Sequence, residues 1–87
     1  MNNFYGILKI LDVSDITIDY YNKCKFSYEI ICIDNDTKFK IICNEKFIEN
    51  IYPKLEIGKY IFIHGHILFT STNLIILPKE ITLELVL

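Results

Sequence analysis

The sequence predicts an all-β protein, a small closed barrel of five strands with one short helix between the third and fourth strands. Apolar and polar residues alternate along most of the chain, as expected for strands with one buried face. Residue types that favour strands, such as Ile, Tyr, Phe and Thr, are abundant. Gly65 interrupts the most regular alternating stretch, which indicates a strand that curves sharply.

The first strand is predicted over Phe4–Asp12, and the alternation continues, with a bend, through DITIDYY at positions 15–21. The second strand covers Lys25–Asp34 and the third covers Thr37–Cys43. Asn-Asp at positions 35–36 favours a tight hairpin between them, because both residue types tolerate left-handed backbone angles.

This turn determines which side chains share a face of the hairpin. One face is predicted to join the core, and it carries Phe26, Tyr28, Ile30, Cys32, Phe39, Ile41 and Cys43. The other face carries Lys25, Lys38 and Lys40, which we expect to collect on one exposed sheet surface. A register slip of one residue would scatter these lysines, since side chains alternate between the two faces.

The stretch NEKFIENIYPKL at 44–55 breaks the alternation and predicts the helix. Asn44 can cap its start, and the apolar residues at positions 47, 48 and 51 form a stripe on one side. Pro53 is expected to end the helix after about two turns, because proline lacks the amide hydrogen that the helix needs.

The fourth strand is predicted over 59–69, with Gly65 on its inward face, where we expect a side chain to collide with the opposite wall of the barrel. A fifth strand is predicted in two halves, 74–77 and 80–87, with Pro78 marking a bulge or an edge. This order of elements is that of the OB-fold, a Greek-key barrel, and we expect one such domain over residues 1–87.

Composition limits the possible functions. The formal net charge is −2 and arginine is absent, so any binding of nucleic acid must depend on a local cluster of lysines. Hydrophobic residues make up 52% of the chain, more than so small a domain can bury, which predicts a homo-oligomer, a dimer or a tetramer. The three cysteines have no metal-like spacing and indicate reduced thiols in a cytoplasmic protein. We expect neither a signal peptide nor a membrane segment.

A resemblance covers about half of the chain. The run FKIICNEKFIENIYPKLEIGKYIFIHGHILFTSTNLIILPKEITLEL is similar to the C-terminal half of bacterial single-stranded DNA-binding proteins and their primosomal relatives. The matching positions are Lys46 and Glu49 at the helix start, Leu55 and Gly58 in the turn, Gly65 in the strand, and Ile81, Glu84 and Leu85 near the end. The resemblance implies an OB-fold that binds single-stranded DNA. The chain departs from the family at Asn44, where many members place an aromatic residue, and it lacks their acidic tail.

Binding of a single strand requires cations along the backbone and flat rings on which bases stack. The predicted cations are Lys9, Lys23, Lys25, Lys38 and Lys40. The predicted stacking rings, on the outward face of the fourth strand, are Tyr60, Phe62, His64 and His66. The expected ligand is single-stranded DNA bound with little sequence preference, in replication, recombination or plasmid maintenance, with RNA left open. If about four lysines contact phosphates, log affinity should fall with log salt at a slope near −3.

Other interpretations of the same residues remain open. Exposed lysines on a strand commonly serve only solubility, and Tyr60 and Phe62 could instead form a subunit interface in an adaptor barrel that binds protein and no nucleic acid. His64 and His66 share a face, but two ligands do not make a metal site, and we expect neither a metal nor another cofactor. No phosphate-binding loop, nucleophile elbow or suitably spaced carboxylate pair is present, so we do not expect an enzyme.

Overall fold

In the computed structural model, which describes residues 2–21 and 23–83, six strands follow one another along the chain. Two 3₁₀ helices, Glu45–Phe47 and Tyr52–Lys54, lie between the fourth and fifth strands. The strands are β1 (Asn2–Val13), β2 (Thr17–Asp19), β3 (Lys25–Asp34), β4 (Thr37–Cys43), β5 (Tyr60–Phe69) and β6 (Leu74–Thr82).

Five of these strands close a barrel. The order is β1-β5-β6-β4-β3, and β3 pairs again with β1 to complete the circuit. Every pair in the circuit is antiparallel except β4 with β6, which is parallel at Lys40↔Ile75 and Ile41↔Ile76. This is the OB-like Greek-key arrangement, so the predicted fold class is confirmed. The sixth strand, β2, lies outside the barrel and pairs only with β3.

The first strand is longer than predicted and pairs with two other strands. Residues 2–9 pair with β5, from Asn2↔Ile67 to Lys9↔Tyr60. The ladder with β3 begins only at Lys9, and its register shifts between Ile10 and Asp12. A bulge of this kind bends a strand, which lets β1 leave one neighbour and join the other. The predicted bent continuation of this strand is a separate element, β2, because residues 14–16 interrupt it.

The hairpin of β3 and β4 has the predicted bounds and turn. Asp34 faces Thr37, and Asn35 takes a left-handed backbone conformation with φ 55°. One predicted core residue is wrong, since the Phe26 side chain is 42% exposed. The ladder with β4 starts at Tyr28, so the first three residues of β3 extend past the barrel and pair only with β2.

Alternating residues of the barrel strands point inward and form one apolar core. Among the described residues, no polar or charged residue other than Tyr28 and the two cysteines is buried. Phe47, from the first 3₁₀ helix, reaches one end of this core. The buried residues are Leu8, Ile10, Tyr28, Ile30, Cys32, Phe39, Ile41, Cys43, Phe47, Ile61, Ile63, Ile76 and Ile81.

The predicted single helix at 44–55 is wrong in type. Asn44 caps its start as predicted, accepting a hydrogen bond from the Lys46 amide at 3.0 Å, but only a 3₁₀ turn follows. The Phe47 carbonyl, which an α-helix would use internally, accepts a hydrogen bond from the Tyr28 hydroxyl at 2.7 Å. Pro53 lies within the second 3₁₀ helix, near its start, and offers no amide hydrogen to extend an α-helix across this region.

Gly65 faces inward as predicted, but the reason differs. A Cβ atom there would overlap the Leu77 carbonyl oxygen and lie 2.8 Å from the Pro78 Cα, so the obstacle is the neighbouring strand and not the opposite wall. Beside it, the register of β5 and β6 shifts between His64 and Gly65, which confirms the bulge predicted at Pro78. The fifth predicted strand is one element through Thr82, and its predicted residues 84–87 lie outside the described residues.

The helical content is limited to short turns. Within residues 2–21 and 23–83, both helices are three residues long, and none is long and apolar enough to cross a membrane.

Candidate nucleic-acid interface

Two of the predicted lysines and one predicted ring share a row across the outer wall of the barrel. The strand registers place Tyr60 beside Lys9, Lys9 beside Ile33, and Ile33 beside Lys38. Directly paired residues point to the same side of a sheet, so these four side chains face outward together. The row crosses four strands, a path of about 14 Å at the usual spacing of strands. It places an ammonium group next to an aromatic ring on β1 and β5.

A second part of the wall is rich in rings. Phe62 lies beside Ile7, and His64 lies beside Tyr5. The rings of Tyr5 and His64 stack, with centroids 4.3 Å apart and planes 7° apart. Tyr5 is 64% exposed, so the outer face of its ring is open to a ligand. This stacked pair next to Phe62 offers the flat surface on which a base could lie.

The sequence prediction missed Tyr5. The alternation of the first strand already places Tyr5 and Ile7 on the outward face with Lys9. What the alternation cannot show is that β5, which carries the predicted rings, pairs with β1 and not with β3 or β4. The rings therefore adjoin Lys9. Lys38 and Lys40 are on β4, which β1 and β3 separate from β5 on one side of the barrel and β6 separates from it on the other.

His66 lies at the far end of the ring-bearing face. It is beside Asn3 on one side and Leu77 on the other. Its Nδ1 atom is buried and has no hydrogen-bond partner among the described residues. His66 is thus more enclosed than Tyr60 or Tyr5, and its ring presents less surface for stacking.

Lys40 is outward as predicted but already has a charged neighbour. Its Nζ lies 3.6 Å from the Glu29 carboxylate on β3. Along its row it faces Ile31, which is beside Asp12. The two carboxylates reduce the positive potential around Lys40, so Lys9 and Lys38 are the stronger candidates for contacts with phosphate.

Lys23 and Lys25 lie apart from this wall. Lys25 is at the outer end of β3, opposite Asp19 of β2, and Lys23 belongs to the turn before it, with φ 55°. Lys40 pairs with Ile31, and Lys25 lies six residues before Ile31 on β3, a distance of about 20 Å along the strand. The structure therefore does not bring all five predicted lysines together.

A polar cleft continues the wall beyond Lys38. It lies between the hairpin turn at 35–36 and the turn at 70–73, with a cavity volume of about 510 Å³. Hydroxyl and amide groups in such a cleft can donate hydrogen bonds to phosphate and sugar oxygens. The lining residues are Asp36, Thr37, Lys38, Thr70, Thr72, Asn73 and Leu74.

The cysteines are placed for packing. Burial raises the pKa of Cys32 and of Cys43 to about 12, so both thiols stay protonated at neutral pH. Cys24 is exposed in the turn before β3. Within the described part of the chain, no three side chains of the His, Cys, Asp and Glu types lie together as metal ligands would.

Comparisons of the chain with protein-family models, with curated proteins and with solved structures find no match. The functional interpretation therefore depends on the fold and on the side chains of the outer wall.

Proposed function

We propose that the protein binds single-stranded DNA on the outer wall of its barrel, with little sequence preference, as an accessory to replication, recombination or plasmid maintenance. The observation that carries the proposal is the row Tyr60–Lys9–Ile33–Lys38 next to the stacked rings of Tyr5 and His64. Cations and open rings on one surface are the two elements by which barrels of this type hold a single strand.

The proposed path of the strand follows from these placements. Bases stack on Tyr5, Tyr60 and Phe62, while the backbone passes Lys9 and then Lys38. The cleft between the two hairpin turns takes the next phosphate and sugar. Stacking contributes about 1–3 kcal/mol per base and depends little on base identity, which accounts for weak sequence preference.

Titration of a fluorescent oligo-dT with the protein, followed by polarisation at several salt concentrations, tests the proposal. If Lys9 and Lys38 each contact a phosphate, log affinity falls with log salt at a slope of about −1.4. Lys38→Glu should weaken binding and make the slope shallower by about 0.7. Lys54→Glu is the matched control, since Lys54 lies in the second 3₁₀ helix and away from the wall.

No shift of the probe at low salt, or equal effects of Lys38→Glu and Lys54→Glu, would exclude this function. A parallel titration with oligo-rU, under the same conditions, compares RNA with DNA.

We also propose that the protein is a cytoplasmic homo-oligomer, a dimer or a tetramer. Free thiols at Cys24, Cys32 and Cys43 suit a reducing compartment. Over residues 2–8, β1 pairs with β5 on one side, and its other edge is free because the ladder with β3 begins at Lys9. This free edge contains neither a charged residue nor a proline. Proteins usually protect a free edge with such residues, so this edge suits pairing with a second copy.

A second candidate function is that of an adaptor that binds protein. It is favoured by the exposed apolar side chains of the wall, with Ile7 47% exposed and Tyr60 48% exposed. The salt titration separates the two functions, because an adaptor would show no salt-dependent binding of oligo-dT.

A further inference from the structure

The ribbon formed by β2 and the start of β3 exposes an apolar face at the end of the barrel. β2 pairs only with β3, with Ile18 directly opposite Phe26. Ile18 is 39% exposed and Phe26 is 42% exposed. A two-stranded ribbon has little stability without something packed against its apolar face. This face therefore has the properties of a contact surface.

An open groove lies between the ribbon, with the residue before it, and the segment 45–49. It is lined by Ile16, Phe26, Glu45, Ile48 and Glu49. The cavity volume is about 460 Å³, within the range of about 300–1,000 Å³ that is common for ligand sites. Three large apolar side chains and two carboxylates thus converge on one open site.

Two hydrogen bonds join the two sides of the groove. The Phe26 amide donates to the Glu45 carboxylate at 3.2 Å. The Tyr28 hydroxyl donates to the Phe47 carbonyl at 2.7 Å, which fixes the 3₁₀ helix to β3. These two hydrogen bonds fix β3 relative to the first 3₁₀ helix.

Two carboxylates, those of Glu45 and Glu49, belong to the lining of the groove. Within residues 2–21 and 23–83, neither Glu45 nor Glu49 has a salt-bridge partner. The nearby Lys46 directs its ammonium group to the Lys79 carbonyl at 2.9 Å. Lys25 and Lys46 line an adjoining cavity together with Phe26 and Glu45, so the negative charge of the groove rests mainly on Glu49.

We propose that this groove binds a short segment of a partner protein that carries one or two large apolar side chains next to a lysine or arginine. The apolar side chains would fill the space between Phe26 and Ile48, and the cation would pair with Glu49. Nucleic acid is disfavoured here, because the Glu49 carboxylate, which has no salt-bridge partner among the described residues, repels phosphates. A second copy docked by two-fold symmetry would place the same carboxylates against each other.

Selection of phage-displayed random peptides on the immobilised full chain tests this inference. The expected result is a set of peptides that combine a large apolar residue with Lys or Arg. For a synthetic copy of one such peptide, Ile16→Asp and Glu49→Lys should each weaken binding by about tenfold, as measured by fluorescence polarisation. Ile57→Asp and Glu56→Lys are the matched controls, since both residues are exposed outside the groove, and each should change affinity by less than about twofold.

The inference is overturned if no peptide is enriched, if enriched peptides lack basic residues, or if Ile16→Asp and Glu49→Lys bind them as the unmodified chain does. It is also overturned if Ile16→Asp dissolves an oligomer, which would show that a second copy occupies the groove. Thermal unfolding of each variant verifies the fold. Lys38→Glu should leave peptide affinity unchanged, so failure here and failure of the DNA-binding proposal are distinguishable.

Discussion

Gly65 leaves no room for a side chain beside the backbone of β6. An added Cβ would meet backbone atoms of Leu77 and Pro78, which cannot move without distorting the β6 strand. At Gly6, an added Cβ would meet only the tip of the Phe4 ring, at 2.8 Å, and that side chain can rotate away. The two glycines therefore differ in what opposes a side chain, although both lie within strands.

We predict that Gly65→Ala lowers the free energy of unfolding by about 3 kcal/mol or more, because the overlap is with backbone. Gly6→Ala, the matched control, should cost about 1 kcal/mol or less. Urea unfolding followed by circular dichroism measures both. Similar costs for the two variants would contradict the close approach of β5 and β6.

The buried thiols predict a loss of stability in alkali. In the folded protein the pKa of Cys32 and of Cys43 is raised from 9.0 to about 12, so the unfolded chain releases these protons at lower pH than the folded chain does. The two buried thiols therefore stabilise the folded chain fully below pH 9, and this contribution to the free energy of unfolding is lost as the pH rises towards 12. We expect the free energy of unfolding to be about 2–3 kcal/mol lower at pH 10 than at neutral pH.

Urea unfolding at several pH values measures this effect. Cys32→Ala should weaken the pH dependence, whereas Cys24→Ala should leave it as in the unmodified chain, because Cys24 is exposed. An unfolding free energy that is equally pH-dependent in both variants would show that the buried thiols are not responsible.

At the scale of the elements, β1 creates the candidate site because it has two neighbours. Its first part adjoins the rings of β5, and Lys9 joins that part to β3 and the lysines beyond. The bulge between Ile10 and Asp12 permits this exchange of partners.

Tyr5→Ala should weaken binding of oligo-dT by about 1–3 kcal/mol, since the mutation removes the exposed ring that stacks on His64. Tyr20→Ala is the matched control, because Tyr20 is 73% exposed but lies at the tip of the ribbon. Polarisation titration at low salt compares them. Equal losses, or none, would mean that the bases do not stack on this wall.

The whole molecule leaves more apolar surface exposed than its size requires. Most of the exposed large apolar side chains lie on the outer wall of β1 and β5 or on the ribbon, while Ile57 in the turn before β5 and Leu77 on β6 lie elsewhere. We interpret the first as the site for nucleic acid beside an edge for a second copy, and the second as a site for a partner protein. Such a division lets one small domain hold a strand and another protein together.

Association through the free edge of β1 predicts that Ile7→Lys shifts the protein from oligomer to monomer, because a charge on an edge strand opposes pairing. Ile57→Lys, at a residue 66% exposed in the turn before β5, should leave the oligomer intact. Sedimentation velocity over a range of concentrations measures both. A chain that is monomeric at high concentration without any substitution would contradict this prediction.

Local alternation was sufficient to predict the bounds of β3 and β4, the hairpin at Asn35 and the inward face of β5, because the side-chain period of two is a property of each strand alone. The pairing of β5 with β1 and the exposure of Phe26 came only from the tertiary structure. Pairing joins residues far apart in sequence, and the point at which a strand leaves the barrel depends on the length of its neighbour. The alternation along a single strand specifies neither its pairing partner nor the residue at which it leaves the barrel.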